Sequence, residues 1–411
     1  MKPIFKLAAL SLCISTGLSV AYAQSASGTP KISDGVVKIG VLTDVAGPFM
    51  DNVGKGSIVA TEIAVEEFGG KVLGFPIEIV TADHQNKADI GAAKTREWFD
   101  RDKVDVVSEL GNSAVALAAM KIAEEKGRMA LVTGAGAQRI SNEDCSPNSV
   151  HWVYDTHALA NVGTKSLVKK GHKTWYFVTA DYAFGHSLEN DGKRFIEEAG
   201  GQVLGSSRYP FPGTDFASYI VKATDSKANA VAIATAGLDL QNAIKQGRSF
   251  GLGKGDQISV AMLMSIVDVH GLGLRNAGDM MFAESFYWDY DDDSRKFAEK
   301  FQKRMNRMPT ALQAGQYSAV LNYLKAVEKA QSDDVTDVMK ALKEMEFNDA
   351  FAKNGKLRDD GKMIHDMFLV KVKTPSESKK PWDYYQIIEV VPGSEAFESL
   401  QNSKCPLVKQ G

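Results

Sequence analysis

Hydrophobic residues along this chain fall into short β-branched runs that alternate with amphipathic stretches. Val36, Val37, Ile39, Val41 and Leu42 make a near-continuous apolar run, as expected of a strand buried on both faces. A loop over 44–54 carrying Gly47-Pro48 follows. Val59, Ala60, Ile63, Ala64 and Phe68 then recur at three- and four-residue spacing, with Glu62 and Glu66 on the wet face, which predicts a helix ended by Gly69-Gly70. The alternation continues as strands over 77–80, 104–107 and 130–132, separated by helices over 89–99 and 113–125. Such a βαβαβαβ series with short loops predicts a parallel sheet with helices on both faces.

The series then restarts. Helices over 159–169, 185–199, 216–224 and 238–250 alternate with strands over 174–178, 203–209 and 230–234. Two successive blocks predict an α/β chain of two doubly wound lobes, with no sequence repeat relating them. The remainder reads as helices over 294–305, 312–329 and 335–345, then strands over 356–358, 368–372 and 387–390.

A chain of 411 residues has room for two domains of ordinary size. A formal net charge of −3 offers no basic excess, which excludes a phosphate-tracking nucleic-acid binder. The N-terminus changes the picture. Lys2 and Lys6 precede an apolar stretch over 7–20, and Ala21-Tyr22-Ala23 supplies a small-x-small cleavage pattern before Gln24, so residues 1–23 read as a cleaved secretory signal. A lipoprotein anchor at Cys13 is disfavoured by the large Leu12 before it. The mature chain keeps Cys145 and Cys405. In an oxidising compartment a bridge between them is expected, the alternative being two free thiols.

Catalytic motifs are missing. There is no G-x-S-x-G; Gly54-Lys55-Gly56 lacks P-loop spacing; Gly134-Ala135-Gly136 is an incomplete dinucleotide fingerprint; the seven histidines show no zinc spacing. His84 stands alone in a loop after a strand. Asp289-Tyr290-Asp291-Asp292-Asp293 fails as a calcium loop because Ser294 and Lys300 hold its glycine and glutamate positions, and reads instead as a solvated loop with Asp293 or Ser294 capping the next helix. No enzyme activity, cofactor or metal is expected. What remains are strand-to-helix loops rich in small residues, where α/β sheets bind ligands. They are Asp44 to Phe49, Gly111-Asn112-Ser113-Ala114, Thr133 to Ala137, and Ala180-Asp181-Tyr182-Ala183-Phe184-Gly185. Asn112 and Ser113 are either helix caps or, with exposed N–H groups, a grip for a carboxylate.

Taken in order, Lys38-Ile39-Gly40-Val41-Leu42-Thr43 with Gly47-Pro48, Ala64 through Gly74, the helix start over 88–93, Tyr182-Ala183-Phe184-Gly185 and Pro212-Gly213-Thr214-Asp215-Phe216 give a specific pattern. It resembles the periplasmic leucine/isoleucine/valine-binding proteins, the type I solute-binding proteins of ABC importers. The resemblance covers about 37–391. It implies two lobes joined by a hinge of three crossings, with a small-molecule ligand in the cleft between them. One lobe would hold 36–155 plus 285–355, the other 156–284 plus 356–392, and the tail over 393–411 would return toward the hinge. It implies a monomer in the periplasm whose closed form is recognised by the importer's membrane subunits. For the site it implies a carboxylate held by Asn112, Ser113 and the loop Gly134, Ala135 and Gly136, with Tyr182 facing the cleft. The family's tyrosine loop corresponds to Thr235-Ala236-Gly237-Leu238 and its acidic loop to Leu263-Met264-Ser265. Neither carries its polar group here, although Asp239 and Asp268 lie near. The expected ligand is therefore an ammonium-free carboxylate, aromatic acids included, walled by Phe49, Tyr182, Phe184 and Met264 and by backbone at Gly237. An amino acid ligand and a sensor domain of the same fold are the alternatives.

Overall fold

A computed structural model describes residues 30–253 and 255–408; the expected leader lies outside them. The first block folds as a six-stranded sheet in the order Lys71–Val72, Phe75–Asp83, Val37–Thr43, Val106–Glu109, Met129–Val132, Ser149–His151. All neighbours are parallel except the short hairpin of Lys71–Val72 with Phe75–Asp83. The second block is a four-stranded parallel sheet in the order Ile258–Ala261, Ala230–Ala234, Thr174–Ala180, Gln202–Tyr209. Helices flank both, so the α/β two-lobe architecture expected from the alternation is the one found. A third, antiparallel sheet joins Met281–Glu284, Met367–Val372 and Tyr385–Val391.

The central strand Val37–Thr43 is nearly all buried, as its apolar run requires. Gly40 is needed there, because a Cβ would stand 2.7 Å from the Trp98 indole that crosses the strand. The helix Ser113–Glu125 has the bounds expected from its periodicity, with Asn112 capping it. The helix Gly54–Phe68 packs against Ala311–Ala330, a helix buried on nearly every face. Between them Gly56 leaves space for the Gln313 amide, which donates to the Val53 carbonyl at 3.1 Å.

The chain leaves the first sheet after His151, and returns after Glu284 to helices packed on the first sheet. It leaves again to reach Met367–Val372. Cys145 and Cys405 form the expected disulfide, with Cα atoms 5.6 Å apart. Several elements were not legible in the sequence: the strands Ser149–His151, Ile258–Ala261 and Met281–Glu284, and the helix Ile266–Leu272. One cap differs from expectation. Asp291, rather than Asp293 or Ser294, begins the helix Asp292–Met305, its carboxylate accepting from the Ser294 amide at 2.7 Å while the Ser294 hydroxyl accepts from the Asp291 amide at 2.9 Å.

Candidate functional site

Each parallel sheet reverses its winding direction once, and α/β sheets bind ligands outside the carboxyl ends of the strands at such a point. In the first sheet the reversal lies between Val37–Thr43 and Val106–Glu109; in the second, between Thr174–Ala180 and Ala230–Ala234. Loops from both reversals meet around one cavity, part of it open to solvent. The first sheet contributes Phe49, Ser113, Gly134, Ala135 and Gly136; the second contributes Tyr182, Phe184 and Met264.

Two expected residues stand outside this cavity. Asn112 is buried behind it, its side-chain oxygen accepting from the Ala114 and Val115 amides at 2.9 and 3.4 Å. Gly237 sits on the seam between lobes, with a left-handed φ of 62° and Pro48 so close that a Cβ would stand 2.3 Å from its carbonyl oxygen. Next to it the Leu238 amide donates to that carbonyl at 3.0 Å.

The first-lobe wall is built for an anion. The Ser113 Oγ accepts from the Ala137 amide at 3.2 Å, which leaves its O–H free to donate. The Tyr154 phenol donates to the Gly134 carbonyl at 2.8 Å, and the His151 ring nitrogen lies 3.0 Å from the Ala135 carbonyl. These contacts fix the loop, while the Ala135 and Gly136 amides have no partner among the described residues. Ser113 also opens a helix, whose N-terminus favours negative charge.

No lysine, arginine or histidine lines the cavity among the described residues. Acids do stand close. Glu284, at the end of the strand Met281–Glu284, lines it, and burial, with Asp268 nearby, pushes its carboxyl up to about 8. Glu109 lies fully buried beneath Gly111 and Gly134. A Cβ on Gly134 would stand 2.0 Å from its carboxyl oxygen. Neither oxygen makes a well-aligned hydrogen bond, burial pushes the carboxyl up to about 8 against the opposing pull of the nearby Thr43 hydroxyl and Gly111 amide, and the residue adopts a left-handed φ of 77°. Burial therefore favours the protonated form of both carboxyls, which lessens their repulsion of an anion in the cavity.

The acids singled out from the sequence serve other purposes. Asp268 accepts from Gln241 Nε2 at 3.0 Å, from the Ser265 amide and hydroxyl at 2.8 and 2.7 Å, and from Asn52 Nδ2 at 2.9 Å. Asp239 accepts from the Gly213 amide at 2.9 Å. Neither lines the cavity. His84 is buried and uncharged, its ring nitrogen accepting from the Asn86 amide at 3.0 Å, with burial lowering it to about 4.

Among the lining residues missed from the sequence are Asn52, Tyr154 and Glu284. Asn52 belongs to the first lobe and also donates to Ser265 Oγ of the second at 2.8 Å, so it ties the two walls together. Phe211 stacks on Tyr182 at 4.3 Å and on Phe49 at 5.4 Å, adding a second tie. Only Glu284 had a readable signal, since it ends the apolar run Met280-Met281-Phe282-Ala283.

The family model described as periplasmic binding protein matches residues 36–380. A Leu/Ile/Val-binding protein homolog 6 from Brucella suis biovar 1 (strain 1330) is 24% identical over 373 residues, covering 83% of this chain and 86% of that protein. A solved periplasmic binding protein from Burkholderia mallei is 47% identical, with a TM-score of 0.90 over 91% of this chain and 100% of the other. A branched chain amino acid ABC transporter periplasmic ligand-binding protein from Burkholderia xenovorans LB400 is 38% identical, with a TM-score of 0.81 over 91% of this chain and 100% of the other.

Proposed function

Since this chain belongs to the periplasmic binding protein family, and is a solute-binding protein rather than an enzyme, we propose that it captures a small organic carboxylate with an aromatic body for an ABC importer. The observation that carries this reading is the set of unengaged donors on the first-lobe wall, the Ser113 hydroxyl and the Ala135 and Gly136 amides, in a cavity whose neighbouring acids burial biases toward the neutral form. Phe49, Tyr182 and Phe184 supply flat apolar walls for a ring. In this reading one lobe is 36–155 plus 285–355, the other 156–284 plus 356–392, and 393–411 is the returning tail. Ligand draws the lobes together because only the closed form makes both walls' contacts at once. The importer's membrane subunits then recognise the closed form.

An amino acid is the second reading. Glu284 favours it, because the cavity does contain a carboxyl that an ammonium could meet. The test is thermal stabilisation of the mature protein by a panel of aromatic acids, aliphatic acids, amides and amino acids. A ligand at 100 times its dissociation constant stabilises by about 2.7 kcal/mol. Ser113→Ala is expected to weaken binding of the responding acid by roughly 10- to 100-fold, as loss of a hydrogen bond to a charged group does. Unchanged affinity in that variant removes the anchor and the reading with it.

A further inference from the structure

Glu284 is the only carboxyl side chain lining the cavity among the described residues, and it is 5% exposed. It lines the same cavity as Met264 and Ser265 and as Ser113 and the loop over 134–136. With its carboxylate gripped by Ser113 and the loop over 134–136, a ligand has Glu284 as the one ionisable carboxyl among the described residues left in the cavity to meet; this step rests on the carboxylate reading above. One Glu284 oxygen, Oε1, accepts from the Ser285 amide at 2.9 Å, and the Tyr385 phenol stands beside the carboxyl, so a ligand hydroxyl would share the group with that phenol.

The surroundings decide what that oxygen meets. Asp268, Tyr385 and Tyr154 stand near Glu284, and no cationic side chain lines the cavity among the described residues. Burial and the neighbouring Asp268 favour the protonated acid over the carboxylate. A neutral carboxylic acid is a poor partner for an ammonium but both donates and accepts hydrogen bonds. A hydroxyl has the same dual character. Phe49, Tyr182 and Phe184, which line the same cavity, suit a planar ring. We propose that Glu284 is the specificity-determining residue for the far end of the ligand, and that the substrate class is ring-hydroxylated aromatic acids, with the ring hydroxyl hydrogen-bonded to Glu284.

The test is calorimetric titration of the mature wild type, Glu284→Gln and Glu284→Leu with benzoate, 3-hydroxybenzoate, 4-hydroxybenzoate, leucine and phenylalanine. The wild type is expected to bind one of the hydroxybenzoates about 10- to 100-fold more tightly than benzoate, because a site built to pair a hydroxyl leaves a buried polar group unpaired without it. Glu284→Leu erases that gap, and a cooperative thermal melt of the variant shows that it folds. Glu284→Gln keeps most of the gap, since an amide still donates and accepts. A wild type that binds benzoate and both hydroxybenzoates equally overturns the proposal, as does a gap that survives in Glu284→Leu. Tight leucine or phenylalanine binding that Glu284→Gln abolishes also overturns it, and assigns the residue to an ammonium. If Ser113→Ala leaves every affinity unchanged, the carboxylate reading itself has failed, which is a separate result.

Discussion

Glu109 and Glu284 share an unusual condition: each is a carboxylic acid whose proton is held by burial, up to about 8. An acid raised in the folded state binds its proton more tightly folded than unfolded. Its contribution to stability is therefore full below the ordinary value of 4.5 and is lost as pH rises toward about 8, at roughly 1.4 kcal/mol per pH unit and per group. Buried histidines act in the opposite sense. Burial lowers His84 to about 4, His151 to about 3 and His365 to about 4, so stability is lost as pH falls below the ordinary 6.5. The thermal midpoint is expected to peak on the acid side of neutrality. Glu109→Gln should raise the alkaline limb by up to a few kcal/mol and change little near pH 4.5, as measured by thermal melts from pH 4 to pH 9. An alkaline limb unchanged in that variant would show that Glu109 is ionised already at neutral pH.

At the scale of elements, Asn112 and Ser113 are neighbours with separable roles. Asn112 satisfies orphan amides at the start of the helix Ser113–Glu125, so Asn112→Ala should lower stability by about 1 kcal/mol while leaving ligand affinity within a few-fold. Melting curves and titrations on the two single variants separate cap from anchor. The sequence could not choose between them, because both roles follow from the same helix-start chemistry. Long apolar runs were legible: the strand Ala230–Ala234 and the helix Ser113–Glu125 have the bounds their patterns predicted. Ser149–His151 was not, because three residues show no period and two of them are polar, buried only because tertiary partners such as Ser141 satisfy His151. Missing the strand Met281–Glu284 meant missing Glu284, and with it the acid in the cleft. The loops that line the cavity were readable from their place after strands. Asn52 was not, because its partner Ser265 lies 213 positions away.

For the whole molecule, Asn52 and Phe211 supply ties across the cleft. Asn52→Ala removes two hydrogen bonds to the second lobe, to Ser265 and Asp268. It should speed ligand release and weaken affinity about tenfold, while small-angle scattering shows a larger unliganded radius. The disulfide acts on another axis. It joins residues 260 positions apart, so Cys145→Ser with Cys405→Ser should cost about 2–5 kcal/mol in thermal stability yet leave ligand affinity unchanged. The packing of Ala311–Ala330 on Gly54–Phe68 has a further consequence, for the order in which the protein comes into being. Gln313 and Val53, bonded across that contact, are 260 positions apart, and the strands of the second sheet lie between them. During synthesis the earliest helix waits, its apolar flank bare, until nearly the whole polypeptide has emerged. A nascent chain stopped near residue 290 carries the first sheet without its cover. If the expected leader over 1–23 directs export, that late arrival leaves the first sheet without its helical cover until most of the chain has been made.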